Sequence, residues 1–241
     1  MKRIIIFLCS VLLMNTPAIS QNQFEKDTFD TLSGKLTIHF IGHGTLMFEF
    51  NNKIIHVDPW SKLANYAKQP KADLILITHQ HPDHLDTIAI NSITKMNTKM
   101  VVNGAVFEII KKGMVMKNGD KKTVEGIVIE AVPAYNTTAD RLKFHPKGRD
   151  NGYVLTIGRN RIYIAGDTEN IPEMANLKNI DIAFLPMNQP YTMTPEQVAD
   201  AVGKFNPKIL YPYHYGDTDL STLKELLSKN KNTEIRIKQM K

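Results

Sequence analysis

Cysteine is nearly missing from this chain. Of its 241 residues only Cys9 is one, and it lies close to the start. A disulfide framework is therefore excluded, and beyond residue 20 no thiolate is available to ligate a metal. Long hydrophobic runs are missing too. The run from Ile4 to Met14 falls short of the roughly 20 residues that a membrane-spanning helix requires. There is no internal repeat, no low-complexity tract and no Gly/Ser linker, and tryptophan occurs once, at Trp60. The formal net charge is +6, two units of which come from Lys2 and Arg3. The other cations are scattered and lack interleaved aromatics, which argues against a nucleic-acid groove and for a solvated surface.

What is present begins with a leader. Lys2 and Arg3 precede the apolar run, and Asn15-Thr16-Pro17 leads into Ala18-Ile19-Ser20. This is the layout of a secretory signal peptide over residues 1–20, cut before Gln21. A retained membrane anchor is the rival reading, weakened by the shortness of the run. A lipoprotein cysteine would close the run, whereas Cys9 sits in its middle. The expected product is secreted or periplasmic, with no stable membrane anchor. Residues 21–34 read as a polar lead-in and residues 35–241 as a single domain, a size that supports one sizeable core.

Alternating apolar residues predict strands over Leu36–Phe40, Leu46–Phe50 and Ile54–Val57, the last two joined by an Asn51-Asn52 turn, as an antiparallel meander. Apolar runs at Leu74–Ile77, Met100–Val102, Ile127–Val132, Tyr153–Ile157, Ile162–Ala165, Ile180–Leu185 and Ile209–Tyr211 predict further strands. A helix is predicted from Pro195 to about Phe205, with Thr194 as N-cap and Gln197 completing a capping box. A second follows Asp219, with Leu220, Leu223, Leu226 and Leu227 on one face. Strands followed by mixed strands and helices imply an α/β architecture of two sheets with helices outside.

The chemistry concentrates in Thr78-His79-Gln80-His81-Pro82-Asp83-His84, directly after the strand Leu74–Ile77. In an extended loop His79 and His81 project to one side and can share one metal. Asp83 and His84 fall on the next turn and can reach a second. Imidazole and carboxylate donors suit Zn2+, and also Mn2+ or Fe2+.

The segment matches in full the H-x-H-x-D-H motif of the metallo-β-lactamase superfamily, which the chain resembles from about Leu36 to His214. The resemblance implies an αββα sandwich, two mixed β-sheets flanked by helices. It implies that His79, His81 and His145 bind one metal, that Asp83, His84 and His214 bind the other, and that Asp167 bridges both. His145 supplies the third protein ligand that catalytic zinc normally has. Asp58, at a strand end before Pro59, would orient a ligating imidazole rather than bind metal; an ordinary turn role is its alternative. The segments Ile41-Gly42-His43-Gly44-Thr45, Pro133-Ala134-Tyr135-Asn136 and Leu185-Pro186-Met187 are similar to the branch that includes ascorbate-6-phosphate lactonase and N-acylphosphatidylethanolamine phospholipase D.

The implied activity is hydrolysis of an ester, lactone or phosphodiester by a hydroxide held between two divalent ions, most simply Zn2+. The alternatives are a phosphodiesterase acting on lipid or nucleotide fragments and a metal-binding scaffold without catalysis. A single-iron oxidative site, as in persulfide dioxygenases, fits less well because both half-sites look complete. Asp83, water on the second metal and His43 are the candidates for the leaving-group proton, although His43 reads equally well as a satisfied loop histidine. Arg141, Lys143, Lys147 and Arg149 bracket His145 and would suit an anionic small-molecule substrate, with solvated loop charge the simpler reading. Trp60, Tyr135, Tyr191 and Tyr215 lie near the motifs and either line a pocket or pack in the core. The leader makes the first testable prediction: intact-mass analysis of exported protein should place the N-terminus at Gln21 or within a few residues of it, whereas a retained Met1 in the membrane fraction would refute it.

Overall fold

The computed structural model describes residues 24–241; the leader and Cys9 lie outside them. Chain order begins with β1 (Glu25–Thr31), β2 (Gly34–Gly42), β3 (Thr45–Phe50) and β4 (Lys53–Val57). These four pair antiparallel in sequence. The Asn51-Asn52 turn between β3 and β4 has φ of 47° and 61°, the backbone of a tight hairpin turn whose twist matches its strands and which asparagine tolerates well. Residues 25–31, which the sequence reading assigned to a polar lead-in, are instead a full edge strand. Its side chains are mostly polar because one face meets solvent, so no apolar alternation marks it.

Parallel pairing then extends this sheet through β5 (Leu74–Leu76), β6 (Lys99–Val102) and β7 (Met114–Val115). Between them lie α1 (Thr87–Ile93), capped by Asp86, and α2 (Gly104–Ile110), capped by Asn103. The second sheet mirrors the first. β8 (Lys121–Val124), β9 (Ile127–Ala134), β10 (Asp150–Ile157) and β11 (Asn160–Ile164) pair antiparallel. β12 (Ile182–Pro186), β13 (Ile209–Tyr213) and β14 (Glu234–Ile235) continue in parallel. α3 (Pro195–Phe205) has the predicted capping box, and α4 (Leu220–Leu226) starts at Asp219. Each sheet thus has seven strands, and helices flank the pair.

The core lies between the sheets. Phe184 on β12 stacks on Tyr211 at 5.1 Å and meets Phe40 and Phe48 of the other sheet at 6.3 and 6.4 Å. A second apolar cluster, including Ile75, Ile77, Ile90 and Val106, lies between the first sheet and α1 and α2. The termini of the domain are tied together. Tyr211 Oη donates to Asp27 Oδ2 at 2.5 Å, and Lys238 Nζ reaches Asp27 Oδ1 at 2.7 Å. Among the described residues, no helix is long and apolar enough to cross a membrane. Phe184→Ala should lower the unfolding free energy by about 3–5 kcal/mol; a denaturant midpoint unchanged from wild type would show that the sheets are not joined through this ring.

Candidate metal centre

The candidate residues leave the two sheets at one end. Asp58 follows β4, the histidine motif follows β5, Asp167 follows β11 and His214 follows β13. His43 turns between β2 and β3, and His145 comes from the β9–β10 connection. Bonds between the sheets hold the ends in register: Tyr153 Oη donates to Ile77 O at 2.9 Å and Asn151 N to Thr78 O at 3.2 Å.

Two donor groups result. His79, His81, His145 and Asp167 form one, and His43, Asp83, His84 and His214 form the other; within each, the donor atoms all lie within 4.8 Å of one another. The carboxylate of Asp167 faces both. Its Oδ2 is 3.3 Å from His145 Nε2, 3.8 Å from His79 Nε2 and 3.5 Å from His214 Nε2, and its Oδ1 is 3.5 Å from His84 Nε2. A tetrahedral ion bound at 2.0–2.1 Å spaces its ligand atoms roughly 3.3–3.4 Å apart, so these separations fit. His84 Nε2, His145 Nε2, His214 Nε2 and Asp167 Oδ1 are buried with no hydrogen-bond partner. Orphaned donors and acceptors are costly, and four converging on one place are what a cation would satisfy.

The outward nitrogens are held. His84 Nδ1 donates to Asp58 Oδ2 at 2.8 Å, His145 Nδ1 to Tyr191 O at 3.2 Å, and His79 Nδ1 to Thr78 Oγ1 at 3.0 Å. Thr78 in turn donates its hydroxyl to Asp58 Oδ2 at 2.6 Å and its N–H to Oδ1 at 2.8 Å. Asp58 therefore orients one imidazole directly and another through Thr78, leaving each Nε2 free to face inward. The sequence reading assigned Asp58 this kind of role, but it missed Thr78, although Thr78 directly precedes the motif.

Electrostatics follow from burial among carboxylates. Burial opposes charge on His84, but Asp167, Asp58 and Asp83 outweigh it and lift its pKa to about 10. For His79 burial wins, aided by His84, and its pKa falls well below the usual range. Burial would raise Asp167, but His214 and His84 hold it well below the ordinary carboxylate value. Burial also works against ionised Asp83, while His214, 3.6 Å away, and the hydrogen bond from His43 pull its pKa far down. The pocket thus keeps two carboxylates ionised and attracts positive charge.

His43 stands closer than expected. Its Nε2 is 3.0 Å from Asp83 Oδ2 and its ring lies 3.7 Å from that of His214, so it joins the second donor group. Gly44 makes this turn possible, because a Cβ there would lie 2.7 Å from His84 Cε1. The four basic residues around His145 are mostly neutralised: Arg141 pairs with Glu169, Lys147 with Glu173 and Arg149 with Asp150. Lys143 lies over the Phe144 ring. Tyr135 and Tyr215 are buried, whereas Trp60 is half-buried against His43 and Tyr191 is exposed.

Glu169 was not anticipated. Fully buried, it accepts from the N–H and hydroxyl of both Thr137 and Thr138 and pairs with Arg141. It thereby clamps the loop that delivers His145, and only its place two residues after Asp167 hinted at this.

Residues 37–214 match the β-lactamase superfamily domain. The chain is 31% identical over 191 residues to a UPF0173 metal-dependent hydrolase of Thermococcus kodakarensis, covering 74% of this chain and 84% of the relative. The chain belongs to this metallo-β-lactamase superfamily, as a UPF0173 metal-dependent hydrolase. A solved structure from Parabacteroides distasonis, described as that of a metal-dependent hydrolase, superposes with a TM-score of 0.88 at 55% identity, covering 90% of this chain and all of that one. A metallo hydrolase from Ignicoccus hospitalis superposes with a TM-score of 0.71 at 25% identity, over 84% and 94% of the two chains. The metal-dependent hydrolases of this superfamily are therefore the frame for the donor groups described above.

Two predictions come from the supporting residues. Asp58→Asn should weaken metal binding about 10- to 100-fold, read by competition with a chromogenic chelator; unchanged affinity would remove Asp58 from that role. For Glu169, burial would raise the pKa, but the hydrogen bonds of Thr138 and Thr137 hold it at about 2, below the ordinary 4.5. A depressed carboxylate stabilises the fold above its unfolded pKa, and that stability is lost as pH falls through the folded value. Glu169→Gln should therefore flatten the acid limb of the stability profile between pH 4.5 and about 2; a limb identical to wild type would contradict this.

Proposed function

We propose that the chain hydrolyses an uncharged ester or lactone at two divalent ions, with Zn2+ the best fit to an all-imidazole and carboxylate donor set. The observation that carries this reading is the Asp167 carboxylate, set between two donor groups with one oxygen toward His84 and the other toward His145 and His214. When bound, two such ions polarise the scissile group and lower the pKa of water, so that a nucleophile exists at neutral pH.

The residues have distinct tasks. His79, His81 and His145 would hold one ion, Asp83, His84 and His214 the other, and Asp167 would serve both. Asp58 and Thr78 fix the imidazoles. Burial keeps the His43 pKa below its usual value despite Asp83, so at neutral pH the ring carries one proton, placed at Nε2 by the 3.0 Å contact with Asp83. That pair is positioned to pass a proton to the departing oxygen. The neutralised basic residues around His145 favour an uncharged substrate over a phosphodiester. The leader read in residues 1–20 supports an activity outside the cytoplasm.

Metal content per chain, measured with a panel of lactones, carboxylic esters and an aryl phosphodiester, tests the proposal. Wild type should hold two equivalents and turn over lactones or esters faster than the phosphodiester. Asp167→Asn should keep the fold and lose one metal and most turnover, since it gives up a negative charge facing both groups. Fewer than one metal under replete conditions, or a fully active Asp167→Asn variant, would overturn it. Two metals with no turnover across the panel would identify a binding scaffold instead.

A further inference from the structure

Two hollows lie near the centre and differ in kind. One of about 600 Å³, lined by Asn103, Lys117, Asn118, Arg149 and Asn151 among others, shares no residue with either donor group. The other, of about 590 Å³, includes Asp83 of the second group, together with Trp60, Lys62, Pro82, Leu85 and Ile88. Trp60, Pro82, Leu85 and Ile88 give it an apolar side, while Ser61, Lys62, Asp86 and Thr87 line the rest beside the donor residue Asp83.

The Trp60 ring lies 5.2 Å from that of His43, itself a member of the second group and 3.7 Å from the His214 ring, so the indole borders that group directly. Ile88 sits in the first turn of α1 and is 70% exposed. That position favours an acidic side chain, because the helix dipole is positive there, yet the turn carries no acid and offers an isoleucine with nothing packed over it. The acid nearest by, Asp86, is already committed to Ser61 and to the N–H groups of Ile88 and Ala89. The one cation of the hollow, Lys62, lies 5.3 Å over the indole rather than facing a carboxylate.

We infer that this hollow is a substrate subsite that takes the non-reacting apolar part of an uncharged substrate, an aromatic ring or a branched aliphatic group, between Trp60 and Ile88. A reacting bond held at the second donor group would direct such a group across Asp83 and onto the indole. The inference rests on the hydrolase reading above for the reacting end, but the subsite itself can be observed without turnover.

Trp60 is the sole tryptophan of the chain, so its emission reports occupancy directly. Titration of the metal-replete protein with 2-phenylacetamide, a neutral amide, should give a saturable emission change, whereas acetamide should give none. Ile88→Asp, which touches no core contact, should raise the apparent Kd for 2-phenylacetamide at least tenfold. On lactones, the preference for γ-phenyl-γ-butyrolactone over γ-butyrolactone in kcat/KM should fall at least tenfold in the same variant. An absent or non-saturable emission change, or an Ile88→Asp variant with unchanged Kd, would overturn the subsite. Tighter binding of phenyl phosphate than of the amide, abolished in Lys62→Met, would overturn the uncharged class in favour of an anion. Saturable amide binding without hydrolysis of any lactone or ester would leave the subsite standing and refute the hydrolase reading alone.

Discussion

The structure turns on the burial of one carboxylate. Asp58 is 1% exposed, and a charge so placed is expensive unless hydrogen bonds replace its water. Thr78 supplies two of these bonds and His84 a third. The three bonds that make Asp58 tolerable also tie the end of β4 to the end of β5 and set the plane of the His84 ring. Because the Thr78 hydroxyl accepts from His79 as well, the orientation of a ring in each donor group is traceable to the same buried anion. Folding cost and site geometry are thus the same set of contacts.

The two sheets contribute unequally but inseparably. The first brings the whole histidine motif on one short connection, which explains why the motif is compact in sequence. The second brings Asp167 and His214 from the ends of β11 and β13 and His145 from a loop held by Glu169. Gly166 permits the closest part of this meeting, since it has φ of 66° and a Cβ there would lie 3.1 Å from Thr78 Cβ. Neither sheet carries a complete donor group, so the centre exists only where the core has joined them.

Much of this was legible in the chain because the signals are local. The β2–β4 meander follows from apolar alternation and an Asn-Asn turn, α3 from its capping box, and the motif from four residues within six positions. What escaped reading is set by contacts distant in sequence or made by the backbone. β1 and β14 are edge strands whose polar faces carry no alternation, and Asp27 is joined to Lys238 across 211 positions. The Tyr191 carbonyl that holds His145 has no side-chain signature at all. His43 was recognised as a candidate proton donor, but its membership of a donor group depends on a turn geometry that no spacing encodes. His145, whose neighbourhood offers no local pattern, was reached only through the family resemblance.

Three residues of the centre, His43, Asp58 and His214, have positive φ, at 50°, 44° and 46°. For side chains other than glycine or asparagine this backbone conformation costs on the order of 1 kcal/mol or more apiece. At Asp58 the bonds from Thr78 and His84 offset that strain, so selection for stability and selection for activity oppose each other at His43 and His214. A descendant released from its hydrolytic role would gain stability by accepting glycine or asparagine there, well before its core began to change. Among relatives that keep this fold, the identities at His43 and His214 should separate working enzymes from lineages that retain only the scaffold.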